Sequence, residues 1–195
     1  MLKFIAIKFF YLLGWKLQGD IPAHISRCVV IVAPHTSNLD YLFGIVTAFK
    51  VKLPVRYLIK EEWLKRPVIG KLLKSWGALG ITRSQRKNMV NTMADLLVQN
   101  ERIILAFPPE GTRKLVKKWK TGFYYVALKA RVPIVMCSLD YGTKTVKIGE
   151  YFLPTGDYVK DMNIVREFYR DITARYPDKF SLAIHEAVPA VGVPK

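Results

Sequence analysis

Cys28-Val29-Val30-Ile31-Val32-Ala33-Pro34-His35-Thr36-Ser37-Asn38-Leu39-Asp40 decides how this chain folds. An apolar, β-branched run over 28–33 reads as a buried strand. It runs into a sharp polar turn, and a helical pattern opens near Leu39. The turn carries an imidazole and a carboxylate five positions apart. On a regular helix that spacing separates two side chains by about 140°, on different faces. His35 and Asp40 therefore meet only if His35 stays in the turn and Asp40 reaches back from the first helical turn. That arrangement suits a general base with an acidic orienting partner. The same residues also make good helix-start chemistry: Ser37 with Asp40 three positions on resembles a capping box, and an acid in a first turn complements the helix dipole.

Outward from this stretch, strands and helices alternate. A helix is expected from about 39 to 49, a strand at Val55–Ile59, and one broken helix or two short ones over 60–76 around Pro67. That segment mixes Trp63, Leu64, Ile69, Leu72, Leu73 and Trp76 with Lys65, Arg66, Lys71 and Lys74, as a lipid-facing element or an ordinary amphipathic surface helix would. Ala78–Thr82 reads as a strand ending at Arg83. Residues 87–100 read as a helix with a core stripe of Met89, Met93, Leu96 and Leu97. A buried strand at Ile103–Phe107 leads into Pro108-Pro109-Glu110-Gly111-Thr112-Arg113. A helix near 121–130, a strand at Pro133–Leu139, a turn at Tyr141–Lys144 and a strand at 145–149 follow. A last helix is expected at roughly 159–175, limited by Pro177, with an irregular tail over 178–195. The pattern predicts a single α/β domain over 1–195, with a largely parallel central sheet flanked by helices.

Residues 2–13 form a short, very apolar helix candidate, interrupted by Lys8 and ended by Gly14. It falls short of the roughly 20 apolar residues that span a bilayer. Either residues 1–15 lie in a membrane interface, with Phe4, Phe9, Phe10 and Trp15 among the headgroups, or the helix packs on the domain itself. In bulk, 51% apolar and 24% charged residues exclude a disordered chain and a polytopic membrane protein. The net charge of +16 calls for an anionic partner. Nucleic acid is not the expected one, because neither a recognition helix nor aromatics interleaved with Lys/Arg on a sheet are evident. Cys28 and Cys137 read as reduced core thiols, and three histidines without ligand spacing argue against a metal site.

His35, Arg83 and Glu110–Arg113 each lie just beyond the carboxyl end of an expected strand, where ligands bind in open α/β sheets. These residues resemble the phospholipid/glycerol acyltransferase family, of the lysophosphatidic acid acyltransferase type. Its His-x4-Asp motif is matched by His35 and Asp40. Its Gly–apolar–Arg motif is similar to Gly77-Ala78-Leu79-Gly80-Ile81-Thr82-Arg83. Its Phe-Pro-Glu-Gly-Thr-Arg motif is matched by Phe107 and Pro109–Arg113 with one extra proline, and its Val-Pro-Ile-Val-Pro motif by Val132–Met136. Departures are Pro34 before the histidine, Gly80 and Thr82 in the second motif, and Met136 for the closing proline.

The resemblance implies a fatty acyl group moving from a thioester, acyl-CoA or acyl carrier protein, to the hydroxyl of a lysophospholipid such as 1-acylglycerol 3-phosphate. His35 would be the general base and Asp40 its orienter, with no resident cofactor and no protein nucleophile; Ser37 is then a cap. Arg83 and Arg113 would clamp phosphate, with Lys120 as a further basic contact. Glu110, with Gly111 and Thr112, would belong to the acceptor site through glycerol hydroxyls or by orienting Arg113. The implied setting is cytoplasmic, peripheral on the anionic inner face of the cell membrane. The alternatives are an acyltransferase for a different lysolipid acceptor and a non-catalytic membrane- or lipid-binding module, against the last of which the intact His35/Asp40 pair stands.

Overall fold

A computed structural model describes residues 2–51, 54–81 and 88–184. In chain order the elements are α1 (Leu2–Leu12), β1 (Lys16–Gln18), β2 (Arg27–Ala33), α2 (Asn38–Lys50), β3 (Val55–Lys60), α3 (Glu61–Leu64) and α4 (Pro67–Ser75). Then come β4 (Ala78–Ile81), α5 (Met89–Gln99), β5 (Ile103–Phe107), α6 (Gly122–Ala130), β6 (Ile134–Asp140), β7 (Thr145–Phe152) and α7 (Tyr158–Tyr169). The strands form one seven-stranded sheet in the order β1-β7-β6-β2-β5-β3-β4. Every neighbouring pair is parallel except β6/β7, which is antiparallel across the turn expected at 141–144.

Alternation in β2 divides the core, and both faces of the strand are buried, as a central parallel strand requires. Val29 and Ile31 pack with Met93 and Leu97 of α5, Phe123 and Val126 of α6, and Met162 and Val165 of α7. Cys28 and Val30 face the opposite layer with Phe43 of α2, Ile104, and Phe10 and Trp15 from the N-terminal segment. The chain leaves β2 through α2 toward β3 and leaves the adjacent β5 through α6 toward β6. The two crossovers run in opposite directions over opposite faces, as their common right-handedness demands. Between the carboxyl ends of β2 and β5 lies the crevice where such sheets bind ligands.

Two expectations change. Phe10 and Trp15 are in the core, 3% and 5% exposed, rather than among lipid headgroups. Their rings pack on Phe43 with centroids 5.5 and 4.4 Å away. Apolar side chains surround α1, so only the docked structure reveals which of them α2 covers. The last helix ends at Tyr169, not near 175. Thr173 is drawn out of the helical path by the β6–β7 turn: its N–H donates to Asp140 Oδ1 and its carbonyl accepts the Tyr141 N–H. Past the short turn at Pro177–Lys179 the described part of the tail, to residue 184, is irregular as expected, and it is held on the domain. Trp119 donates its backbone N–H to Ala183 and its indole N–H to Ser181, which lays Phe180 and Leu182 on the core. β1 is a three-residue edge strand that was not expected at all.

Candidate active site

The 34–40 turn is built around one carboxylate. Ser37 caps α2, its hydroxyl accepting the Leu39 and Asp40 N–H groups at 3.1 and 3.3 Å. Asp40 reaches back, as the spacing requires. Its Oδ2 accepts the Thr36 and Ser37 N–H groups at 2.6 and 2.7 Å, and its Oδ1 accepts the Ser37 and Tyr141 hydroxyls at 2.7 and 2.6 Å. The capping box is thus complete with Asp in place of Glu at the third position. These four bonds occupy both oxygens; among the described residues the His35 ring is not a partner of Asp40. Its influence on His35 is through space, a negative charge that favours the imidazolium.

His35 is bonded to the neighbouring strand's turn. Its backbone N–H donates to Glu110 Oε1 at 3.0 Å, tying the end of β2 to the end of β5 across the crevice. Burial holds the His35 ring below the ordinary imidazole value; Asp40 opposes the shift and the Arg113 guanidinium adds to it. The ring is therefore neutral near pH 7 and free to accept a proton. Glu110 is 2% exposed and its Oε2 has no partner among the described residues. Burial pushes its carboxyl up to about 7; the His35 N–H resists this and the Asp40 charge adds to it.

That shift predicts a pH signature. An unfolded Glu ionises near 4.5 and folded Glu110 near 7, so the folded state loses stability as pH rises through this window and no more above it. Glu110→Gln has no such titration. From pH 4.5 to 8 the variant should gain up to about 3 kcal/mol on the parent, read from denaturant midpoints at both pH values. A difference that stays constant with pH would show that Glu110 ionises normally.

His35, Asp40 and Arg113 line one cleft of about 210 Å³, whose walls are otherwise mostly apolar: Val32, Ile45, Ala48, Val55, Leu58 and Ala106 among them. Gly44 opens its floor toward a second, smaller apolar hollow between α2 and the sheet. On the wall of the first cleft the Tyr41 and Tyr57 hydroxyls meet at 2.7 Å. In the 110–113 turn Gly111 adopts a φ of 65°, and the Lys120 side chain lies across it. Thr112 and Arg113 are exposed. The structure thus brings together His35, Asp40, Glu110 and Arg113, with Gly111 shaping the turn and Lys120 lying over it. Arg83 lies outside the described residues. Tyr141 was overlooked, although it directly follows β6, on the same rim that singled out His35 and Glu110. Arg175 and Lys179 were overlooked because nothing local places them near the 34–40 turn.

The family model described as Acyltransferase matches residues 16–140, well over half of the chain. Human 1-acyl-sn-glycerol-3-phosphate acyltransferase beta is 31% identical over 137 residues, 67% of this chain and 48% of that protein. The chain therefore spans about half the length of the curated relative it matches. The crystal structure of the 1-acyl-sn-glycerophosphate (LPA) acyltransferase PlsC from Thermotoga maritima shares the fold, with a TM-score of 0.58 at 19% identity over 89% of this chain and 79% of that one. With a family model matched over most of its length, this chain belongs to the acyltransferase family.

Proposed function

We propose that this protein transfers a fatty acyl group from an acyl thioester, acyl-CoA or acyl carrier protein, to the hydroxyl of a lysophospholipid, 1-acylglycerol 3-phosphate giving phosphatidic acid. The observation that carries this reading is the single cleft in which the His35 imidazole, the Asp40 carboxylate and the Arg113 guanidinium meet apolar walls. His35 takes the proton of the acceptor hydroxyl, and that oxygen attacks the thioester carbonyl. The C–S bond breaks as the ester forms, and His35 returns the proton to the leaving thiolate. Asp40 stabilises the transient imidazolium through space. Arg113 binds phosphate, with Arg83 and Lys120 as further basic contacts, and Glu110 holds the two turns in register. The apolar floor beside Gly44 accommodates an acyl chain. Purified protein offered acyl-CoA or acyl carrier protein thioesters with a panel of lysolipids should form phosphatidic acid, detected by mass spectrometry. Failure with every phosphate-bearing acceptor would refute this reading.

We also place the protein peripherally on the anionic, cytoplasmic face of a membrane. Among the described residues no helix is long and apolar enough to cross one. Instead, α1 buries Phe10 while leaving Phe4, Phe9 and Leu12 65%, 57% and 82% exposed, close to Lys3 and Lys8. Val68, Ile69 and Leu72 of α4 are likewise exposed beside Lys71 and Lys74. Replacing Phe4, Phe9 and Leu12 together by Ser leaves Phe10 in the core. It should lower co-sedimentation with phosphatidylglycerol vesicles at least tenfold, since each side chain inserted into lipid is worth about 1.5–3 kcal/mol. Unchanged binding would remove α1 as the docking element.

A further inference from the structure

We infer that Arg175 and Lys179, together with Arg113, form a phosphate-binding recess beside the cleft, which receives the phosphate of one of the two substrates. The inference rests on the proposed acyl transfer only for the identity of that substrate. Arg175 and Lys179 lie beyond residues 16–140, so the family match assigns them no role.

After α7 the chain is held by the β6–β7 turn and crosses to the start of α2, where the Tyr176 N–H reaches Thr36 Oγ1 at 3.4 Å. This crossing closes a recess of about 400 Å³ between the 36–39 segment, Arg113, Arg175, Tyr176 and Lys179. Arg113 lines both this recess and the cleft that holds His35. The recess therefore adjoins the cleft through a shared side chain.

The lining is positive, and the side chains must provide the attraction. The N–H groups of Thr36, Ser37, Leu39 and Asp40 are already taken by Asp40 and Ser37, so the capped helix start has little left to offer. Among the described residues, Arg113, Arg175 and Lys179 form no ion pair. Three uncompensated cations around one recess repel each other in the absence of an anion and are relieved by one. Tyr176 stiffens the pair: the Lys179 Nζ lies 4.3 Å from its ring centroid and the Arg175 guanidinium 5.5 Å. The Arg175 guanidinium also lies 6.0 Å from the ring centroid of Tyr141, whose hydroxyl bonds Asp40. Guanidinium with a flanking ammonium is the donor set that phosphate monoesters and diesters prefer.

Both acceptor and donor carry phosphate, so the test separates them. Calorimetric titration of the full chain with sn-glycerol 3-phosphate and with coenzyme A should show binding of at least one. Arg175→Ala/Lys179→Ala should weaken it roughly 10- to 100-fold, with Arg175→Lys in between. Arg175 is exposed and Lys179 half-buried outside the core, so their removal opens no core; the melting temperature checks this. Kinetics then name the source. A loss of the preference for 1-acylglycerol 3-phosphate over 1-monoacylglycerol assigns the recess to the acceptor headgroup. A loss of the preference for acyl-CoA over an acyl-N-acetylcysteamine thioester assigns it to the donor. A parent protein that binds neither probe, or a double variant that binds as tightly as the parent, overturns the inference. Binding that the double variant abolishes in a protein showing no acyl transfer would refute the proposed reaction and leave the recess standing.

Discussion

His35→Ala should reduce kcat for acyl transfer about 10²–10⁴-fold, the usual worth of a positioned acid–base group. The substitution is clean because His35 contributes to the fold through its backbone N–H to Glu110, which alanine keeps. The loss should fall on kcat rather than on substrate binding, since the ring acts on a proton in flight. The parent enzyme should carry the matching signature in its pH profile. Burial and Arg113 lower the His35 pKa more than Asp40 restores it. The acidic limb of kcat/KM should therefore lie below 6.5, the ordinary imidazole value, with activity lost as pH falls through that limb and the ring becomes charged. Turnover within a few-fold of the parent in His35→Ala, or an acidic limb above 6.5, would remove His35 from the chemistry.

The parts of this site that were legible in the sequence are those written locally. A β-branched run followed by a capped helix start forces the 28–50 strand–turn–helix. Placing chemistry just past strand ends brings His35 and the 110–113 turn to one rim from the sequence alone, and β2 and β5 are indeed adjacent and parallel. Tyr141 obeys the same rule and was within reach of the same argument. The rest depends on long-range docking. The last helix stops at Tyr169 because Asp140 and Tyr141, some thirty residues earlier, capture Thr173, which no helical periodicity records. The same capture carries Arg175 and Lys179 to the start of α2. β1 was hidden for a different reason: three residues with exposed ends carry neither a hydrophobic period nor a turn signal. Phe10 and Trp15 show the limit of composition, since an all-round apolar segment does not say which of its side chains meets the core.

Asp40→Asn should separate the two roles that converge on one carboxylate. Structurally, Asp40 accepts four hydrogen bonds while 2% exposed. Asparagine retains one oxygen, which would stay with the Thr36 and Ser37 N–H groups, and its NH₂ would then face the Ser37 and Tyr141 hydroxyls. Tyr141 can rotate its hydroxyl to accept; Ser37 Oγ already accepts two backbone N–H groups and has little capacity left. Losing the charge-assisted character of these bonds should cost about 2 kcal/mol, or roughly 4–8 °C in Tm for a chain of this size. Catalytically, a ring held by a direct carboxylate bond would lose its tautomer, and such losses reach about 10⁴-fold in a serine protease. Here the ring is influenced only through space, so the expected loss in kcat is nearer 10²-fold. The distinguishing readout is the direction in which the pH profile moves. Asp40 raises the His35 pKa. Its neutralisation should therefore push the acidic limb to still lower pH in the folded variant. A merely structural carboxylate would change Tm and leave that limb in place. An unmoved limb would thus reduce Asp40 to a cap, whereas a shift downward with a loss near 10²-fold makes the same four-bonded carboxylate both the frame of the turn and the electrostatic partner of the base.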